Sequence, residues 1–360
     1  MESQRVKKSS NFNAVYAATN PIVTEQAMEF FQSNDGFVSV KDVPLIRVPV
    51  QSGKLAVVKQ EYINRDEVKL RSSSPAEAEK ATLGVGTVNF TTDARALEYV
   101  LTAADAAAIG YEYGMDVPAL IPRALAMKAN IHTEGRFSSL WAAASWYRTV
   151  TGAGSDSGSE GTTAMNRVKW SDATVNPAIG IAAEKRIFLL RNGVMPTNLR
   201  LGYQAFETLA THPLIRAQIA LTIGGATQAA LYTPMATAAQ LSALFGLNVS
   251  TSWGVKNTSD VDGTPSNSFI VAMGDALLTY DGGGTYDATE GVGGQPTVAL
   301  TGSTGFARVA WTGVAANGFG IRQVMREAVG AGGSESWILD LFQGFCIVDP
   351  LFGTYYTGMV

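Results

Sequence analysis

The run from Val43 to Thr102 constrains this chain most, because strand-like sequence flanks a stretch far richer in charge than the rest. Between Gly53 and Lys80 there are six basic residues (Lys54, Lys59, Arg65, Lys69, Arg71 and Lys80) and five acidic ones (Glu61, Asp66, Glu67, Glu77 and Glu79). That makes eleven charges in 28 residues, in a chain that is 16% charged overall. A lone domain gains little from such a segment, since an exposed ion pair contributes about 0 to 1 kcal/mol. Across a neighbouring subunit the same charges fix register and partner choice. The pattern therefore predicts inter-subunit contact through Lys54, Lys59, Arg65, Asp66, Glu67, Lys69, Arg71 and Lys80.

The 360 residues suffice for a large core and two or three domains. No apolar run approaches the roughly 18 to 20 residues of a membrane span. The first ten residues carry Arg5, Lys7 and Lys8 but no apolar segment after them, so no secretory signal is expected. Cys346 is the single cysteine, which excludes an internal disulfide framework and a cysteine zinc cluster. Between Phe345 and Ile347 it reads as a buried strand thiol. The net charge of −4 gives no basic face for gripping a phosphate backbone. If such a chain meets DNA at all, it is expected to enclose it rather than to grip it.

Along the chain, Val23 to Gln32 reads as a short helix, followed by strands at Leu45–Val50, Lys54–Ile63 and Leu83–Thr92. Turn chemistry at Ser72-Ser73-Ser74-Pro75 separates the last two, giving a long two-stranded arm. Ala96 to Thr102 alternates Leu97, Tyr99 and Leu101 on one face. Asp116 to Tyr147 reads as a long helix, with an apolar stripe through Leu120, Ala124, Met127, Ile131, Leu140 and Ala144 and interruptions expected at Pro122 or Gly135. Thr151 to Thr163 reads as a loop. A helix capped by Asn176-Pro177 runs to Leu190 and stops at Gly193. Strand Asn198–Gly202, helix Tyr203–Thr211, helix Thr237–Phe245 and strand Leu247–Thr251 follow. Strands then dominate, at Phe269–Met273, Phe306–Trp311, Phe319–Arg326, Trp337–Phe342 and Phe345–Val348. The alternation of strand and helix indicates an α/β or α+β domain, and the order of segments described below favours α+β.

Catalytic signatures are missing. The two histidines, His132 and His212, lack a partner at metal-ligand spacing; His212 reads as a helix-end residue bonding to carbonyls and His132 as a surface or interface residue. There is no nucleophile elbow and no zinc-protease motif. The glycine-rich, acidic Asp281–Gly294 does not follow a known calcium-loop spacing. No catalytic, cofactor or metal site is expected.

The order of segments resembles the major capsid proteins of tailed double-stranded DNA bacteriophages, which share the Hong Kong 97-type fold. The resemblance rests on Val43 to Asp105, ending DARALEYVLTAAD, and on Pro196 to Val249, with PTNLRLGYQAFETLATHPLI and then TAAQLSALFGLNV. Met273-Gly274-Asp275 with Leu277, Leu278 and Tyr280 adds to it. It implies an N-terminal arm (1–42), an extended E-loop hairpin (43–92), a P-domain with a long spine helix (93–176 and 306–343) and a mixed α/β A-domain (177–305 and 344–360). Implied partners are further copies of the chain in pentamers and hexamers of an icosahedral shell, a portal protein and a decoration protein. The shell would enclose double-stranded DNA without sequence-specific binding, as part of a virion assembled in the host cytoplasm. Since the arm begins at once, without a delta domain, a separate scaffolding protein is expected. The lysines of the arm suggest no assignable inter-subunit crosslink. Other readings are a phage-associated hydrolase or carbohydrate-binding protein, or a tail or baseplate component.

Overall fold

The structure, a computed structural model, describes residues 36–58, 85–102, 117–142, 146–159, 162–222, 235–259, 264, 266–281, 285–287, 289–290, 296–297, 304–313, 317–326 and 334–360. The helix expected at 23–32, the turn at 72–75 and the cap Asp116 lie outside the described residues.

The chain runs through α1 (Val38–Lys41), β1 (Leu45–Val48), the hairpin strands β2 (Ser52–Val58) and β3 (Val85–Thr91), β4 (Asp93–Thr102) and the long helix α2 (Val117–Trp141). Next come β5 (Arg148–Ala153), β6 (Ala164–Val168), α3 (Pro177–Asn192), β7 (Asn198–Gly202), α4 (Tyr203–Thr211), α5 (Pro213–Thr222), α6 (Ala238–Phe245) and β8 (Asn248–Ser252). Short strands β9 (Val255–Asn257) and β10 (Asn267–Phe269) precede β11 (Ala276–Thr279), β12 (Thr285–Asp287), β13 (Thr289–Glu290) and β14 (Pro296–Thr297). The chain closes with β15 (Phe306–Trp311), β16 (Phe319–Arg326), β17 (Ser334–Ile347) and β18 (Gly353–Thr357).

Two six-stranded sheets organise these elements. In the first, β17 is the central strand: β4 pairs along one side, while β16 and then β15 follow each other along the other. β1 adds parallel to β15, and β12 parallel to β1. The second has the order β6-β5-β18-β11-β7-β8. Helix α2 lies on the first sheet, burying Ile121, Leu125, Ala126 and Ala129 against Leu101, Phe319, Ile321, Trp337, Leu339 and Leu341. Leu199, Leu201 and Leu278 of the second sheet pack with Ile181, Leu209, Ile215, Leu241 and Phe245 from α3 to α6.

Several sequence expectations hold locally because capping chemistry decides them. The Asn176 side chain accepts from the Ala178 N–H at 3.0 Å, Pro177 opens α3, and Gly193 at φ 71° ends it. Thr237 and Gln240 form a reciprocal capping box on α6. Strand β16 falls where the sequence placed a strand, at Phe319–Arg326.

Other expectations need correction. Helix α2 ends at Trp141, so its 25 residues span about 37 Å, and it passes through Pro122 and Gly135 without a break. Its buried side is not the expected stripe. Leu120 is 45% exposed, Ala124 is exposed, and Met127 and Ile131 are only partly covered. The enclosed face carries Asn130, Thr133 and Glu134 between its apolar residues, and polar side chains are invisible to an apolar periodicity. Residues 151–163 are not one loop: β5 and β6 pair in parallel within the second sheet. β17 is a single 14-residue strand rather than two, since β4 and β15 hold it continuously past Gln343-Gly344. Only Asn267–Phe269 is strand where Phe269–Met273 was expected. Among the described residues, no helix is long and apolar enough to cross a membrane.

Candidate inter-subunit surface

The charged segment begins in β2, which pairs with β3 in an antiparallel register from Ser52↔Thr91 to Val58↔Val85. Alternation explains its seat. Leu55, Val57 and Phe90 pack inward on Ile46, Val48, Ala307, Val309, Cys346 and Val348, and burying one such large side chain contributes about 1.5 to 3 kcal/mol. Lys54, between those inward positions, is exposed opposite Asn89. Of the residues expected at contacts it alone is placed; Lys59, Arg65, Asp66, Glu67, Lys69, Arg71 and Lys80 lie outside the described residues.

A second charged surface sits where α2 leaves β4 uncovered. Arg95, Leu97, Tyr99 and Leu101 share the face of the sheet that α2 covers, in register with Leu341, Leu339, Trp337 and Glu335 of β17. The helix lies over β17 and β16 and closes only on Leu101. Leu97 and Tyr99 stay 37% and 43% exposed, and Val100 on the opposite face 48%. A cleft of about 430 Å³ opens here, with Ala96, Leu97, Ala129, Leu339 and Leu341 as its apolar lining and Arg95, Lys128 and His132 as its polar one.

Charge in this region is organised by Asp93, which accepts a hydrogen bond from Arg136 and lies 3.6 Å from Arg95. The Arg136 bond, aided by both positive charges, holds the Asp93 carboxyl below its usual range. His132 is pushed down, first by partial burial and then by the charges of Arg95 and Arg136. At neutral pH the cleft thus presents a neutral imidazole between Arg95 and Lys128. Lys128, His132 and Arg136 recur every four residues, so they run along one side of α2. That spacing is the signal by which the sequence offered this surface, and the search for apolar stripes and metal spacing passed over it.

Other ionic contacts are internal. Arg148 of β5 grips Glu184 of α3 through Nε at 2.6 Å and Nη2 at 2.9 Å, and Arg167 of β6 adds a bond from Nη2 at 3.1 Å. Arg200 of β7 donates to Asp281 at 2.7 Å and to the Asp42 carbonyl at 2.7 Å, while its guanidinium stacks 4.7 Å from the Phe306 ring centre. These bonds join the second sheet to the start of β1 and to β15. Glu134 of α2 is fully buried, accepting from the Ser39 N–H at 2.8 Å and the Ser252 hydroxyl at 2.6 Å. Burial outweighs these bonds and raises its pKa.

Cys346 is buried, as its apolar neighbours suggested, and burial pushes its thiol up to about 12. His212 ends α4 and its Nε2 lies 3.0 Å from the Asp172 carbonyl, in line with the helix-end reading. Among the described residues, no group of three or more His, Cys, Asp or Glu side chains converges as metal ligands.

This mixed helix and strand architecture has structural counterparts. Neither a family model nor a curated protein sequence matches the chain. Its fold is shared with a phage-related protein from Bordetella bronchiseptica at TM-score 0.62 and 14% identity, over 94% of this chain and 97% of that one. Weaker overlaps include the capsid of cyanophage P-SCSP1u (TM-score 0.48, 9% identity, 87% and 85% covered). An encapsulin complex from Synechococcus elongatus is similar at TM-score 0.45 and 9% identity, with 88% and 85% covered.

Proposed function

We propose that this protein is the major capsid protein of a tailed double-stranded DNA bacteriophage, forming pentamers and hexamers in an icosahedral shell around the genome. The observation that carries the reading is the overlay on a phage-related protein across nearly the full length of both chains, so the shared part is the whole architecture rather than one module. Fold alone does not define function; the surface adds to the reading. Exposed Leu97, Tyr99 and Val100 beside a cationic cleft form a patch suited to a protein partner.

In this reading α2 is the spine helix and the β2–β3 hairpin the root of the E-loop. Residues 1–42 form the arm, 43–92 the E-loop, 93–176 and 306–343 the P-domain, and 177–305 with 344–360 the A-domain. The contacts through Lys54, Lys59, Arg65, Asp66, Glu67, Lys69, Arg71 and Lys80 belong to the same proposal, as do a separate scaffolding protein, a portal and a decoration protein. The function is repeated interface formation, without turnover, within the virion.

Electron microscopy of the expressed chain, with and without scaffolding protein from the same source, tests this. Closed shells or capsomer rings are expected. A stable monomer under both conditions overturns the proposal.

A further inference from the structure

We infer that Arg308, in β15, is the centre of an internal binding site for one small monovalent anion of the chloride class. The site lies inside the fold, apart from the surfaces described above, and does not depend on the shell-forming reading.

Among the described residues three arginines are buried: Arg148, Arg200 and Arg308. Arg148 is matched by Glu184 and Arg200 by Asp281. Arg308, 6% exposed, differs from both. Its Nε and Nη1 are enclosed with no hydrogen-bond partner, and among the described residues no acid forms an ion pair with it. Burial lowers its pKa to about 10, so the guanidinium stays charged at neutral pH. An uncompensated ion in such surroundings costs several kcal/mol. A bound counter-ion removes that cost.

The register shows what surrounds the charge. Arg308 stands opposite Leu45 of β1 and Phe345 of β17. Phe306, two residues back, shares its side of the strand, and the rings of Phe306 and Phe345 lie 5.1 and 5.7 Å from that of Phe137 in α2. Ala307 and Val309 turn the other way, toward β2 and β3. The same aromatic cluster holds two more buried donors without partners, the indole N–H groups of Trp141 and Trp146. Donors are therefore in excess here. Gln343, two residues along β17 from Phe345, has an unpartnered Oε1, but a neutral amide cannot balance a charge.

Charge and size select the ligand. One guanidinium is neutralised by one negative charge, whereas sulfate or hydrogen phosphate would bury a second. The apolar Leu45 and Phe345 on either side favour an ion that sheds its water easily. A carboxylate on another chain carries the right charge. However, Nε and Nη1 are enclosed within one subunit, where a diffusing ion enters more readily than a chain segment.

Urea unfolding of the full chain tests this, with sodium chloride exchanged for sodium gluconate at constant ionic strength, since gluconate is too bulky to enter. A ligand held only by the folded state raises the folding constant in proportion to its concentration above its Kd. The wild type should gain about tenfold in that constant for each tenfold rise in chloride, and R308M should gain nothing. Bromide anomalous scattering from wild-type crystals should also place one ion within hydrogen-bond reach of Arg308, which decides the matter if R308M does not fold. Equal chloride dependence in wild type and R308M means adventitious ions only and overturns the inference. A wild type indifferent to chloride, or bromide found only elsewhere, overturns it as well. Stability that follows protein concentration instead of chloride, and is lost in R308M, gives the guanidinium to a carboxylate of another copy and overturns it too.

Discussion

The Arg148–Glu184–Arg167 cluster and the Arg136–Asp93–Arg95 cluster use the same chemistry in opposite surroundings. In the first, the Arg148 and Glu184 side chains are 1% and 0% exposed and every bond closes inside the subunit. In the second, Asp93 and Arg136 remain about a third exposed, beside a cleft lined by Arg95 and Lys128. Enclosed charges must be matched, since an uncompensated buried ion costs several kcal/mol. Charges at an open margin carry no such demand and can be held for another molecule. The first cluster is thus part of how the chain folds, and the second is free of that demand.

The sharpest way to break the comparison is Glu184→Ala. It strands Arg148 in the interior and should cost about 3 to 5 kcal/mol, read as a fall in the urea midpoint. Arg95→Ala at the open margin should change stability by no more than about 1 kcal/mol; equal losses at the two sites would erase the distinction. Gly344→Ala ranks next. A β-carbon there would lie 2.0 Å from the Thr91 carbonyl oxygen, so β3 must shift from its seat. Thermal unfolding should show a loss of about 1 to 3 kcal/mol, with faster hydrogen exchange in β2 and β3.

Glu134 sharpens the comparison through pH. Its folded pKa is raised by burial, so the folded state binds the proton more tightly than the unfolded chain does. Stability from this group is therefore highest at acid pH and falls as pH rises from the unfolded value towards the folded one. Glu134→Gln should remove that part of the slope between the two values; an unchanged slope would refute the assignment. The smallest expected effect is at Cys346. With its thiol pushed up to about 12, it should resist a thiol reagent at neutral pH until the protein unfolds. Rapid labelling of the folded subunit would show that the hairpin seat opens.

What was legible in the sequence depended on whether neighbours in the chain or neighbours in space set the outcome. The ends of α3 and α6 were readable because Asn176, Pro177, Gly193, Thr237 and Gln240 act on their own backbone. Cys346 was readable because apolar residues flank it. The buried side of α2 was misread, since its enclosed polar group Glu134 is matched by Ser39 and Ser252, 95 and 118 residues away. Residues 151–163 looked like a loop because their Gly, Ser and Thr content suggests turns, yet the first of them belong to β5, to which β18 gives a parallel partner from the end of the chain.

The candidate surface divides in the same way. The excess of charge between Gly53 and Lys80, the four-residue recurrence of Lys128, His132 and Arg136, and the alternation of Leu97, Tyr99 and Leu101 in β4 follow from the sequence by itself, because local chemistry and periodicity need no partner. Tertiary structure alone decided that α2 stops short of covering β4, which brings Arg95 beside Lys128 over Leu339 and Leu341. The physical reason is that helix and sheet pack where their apolar residues fit best, and the margin left open by that fit is a property of two surfaces together rather than of either sequence.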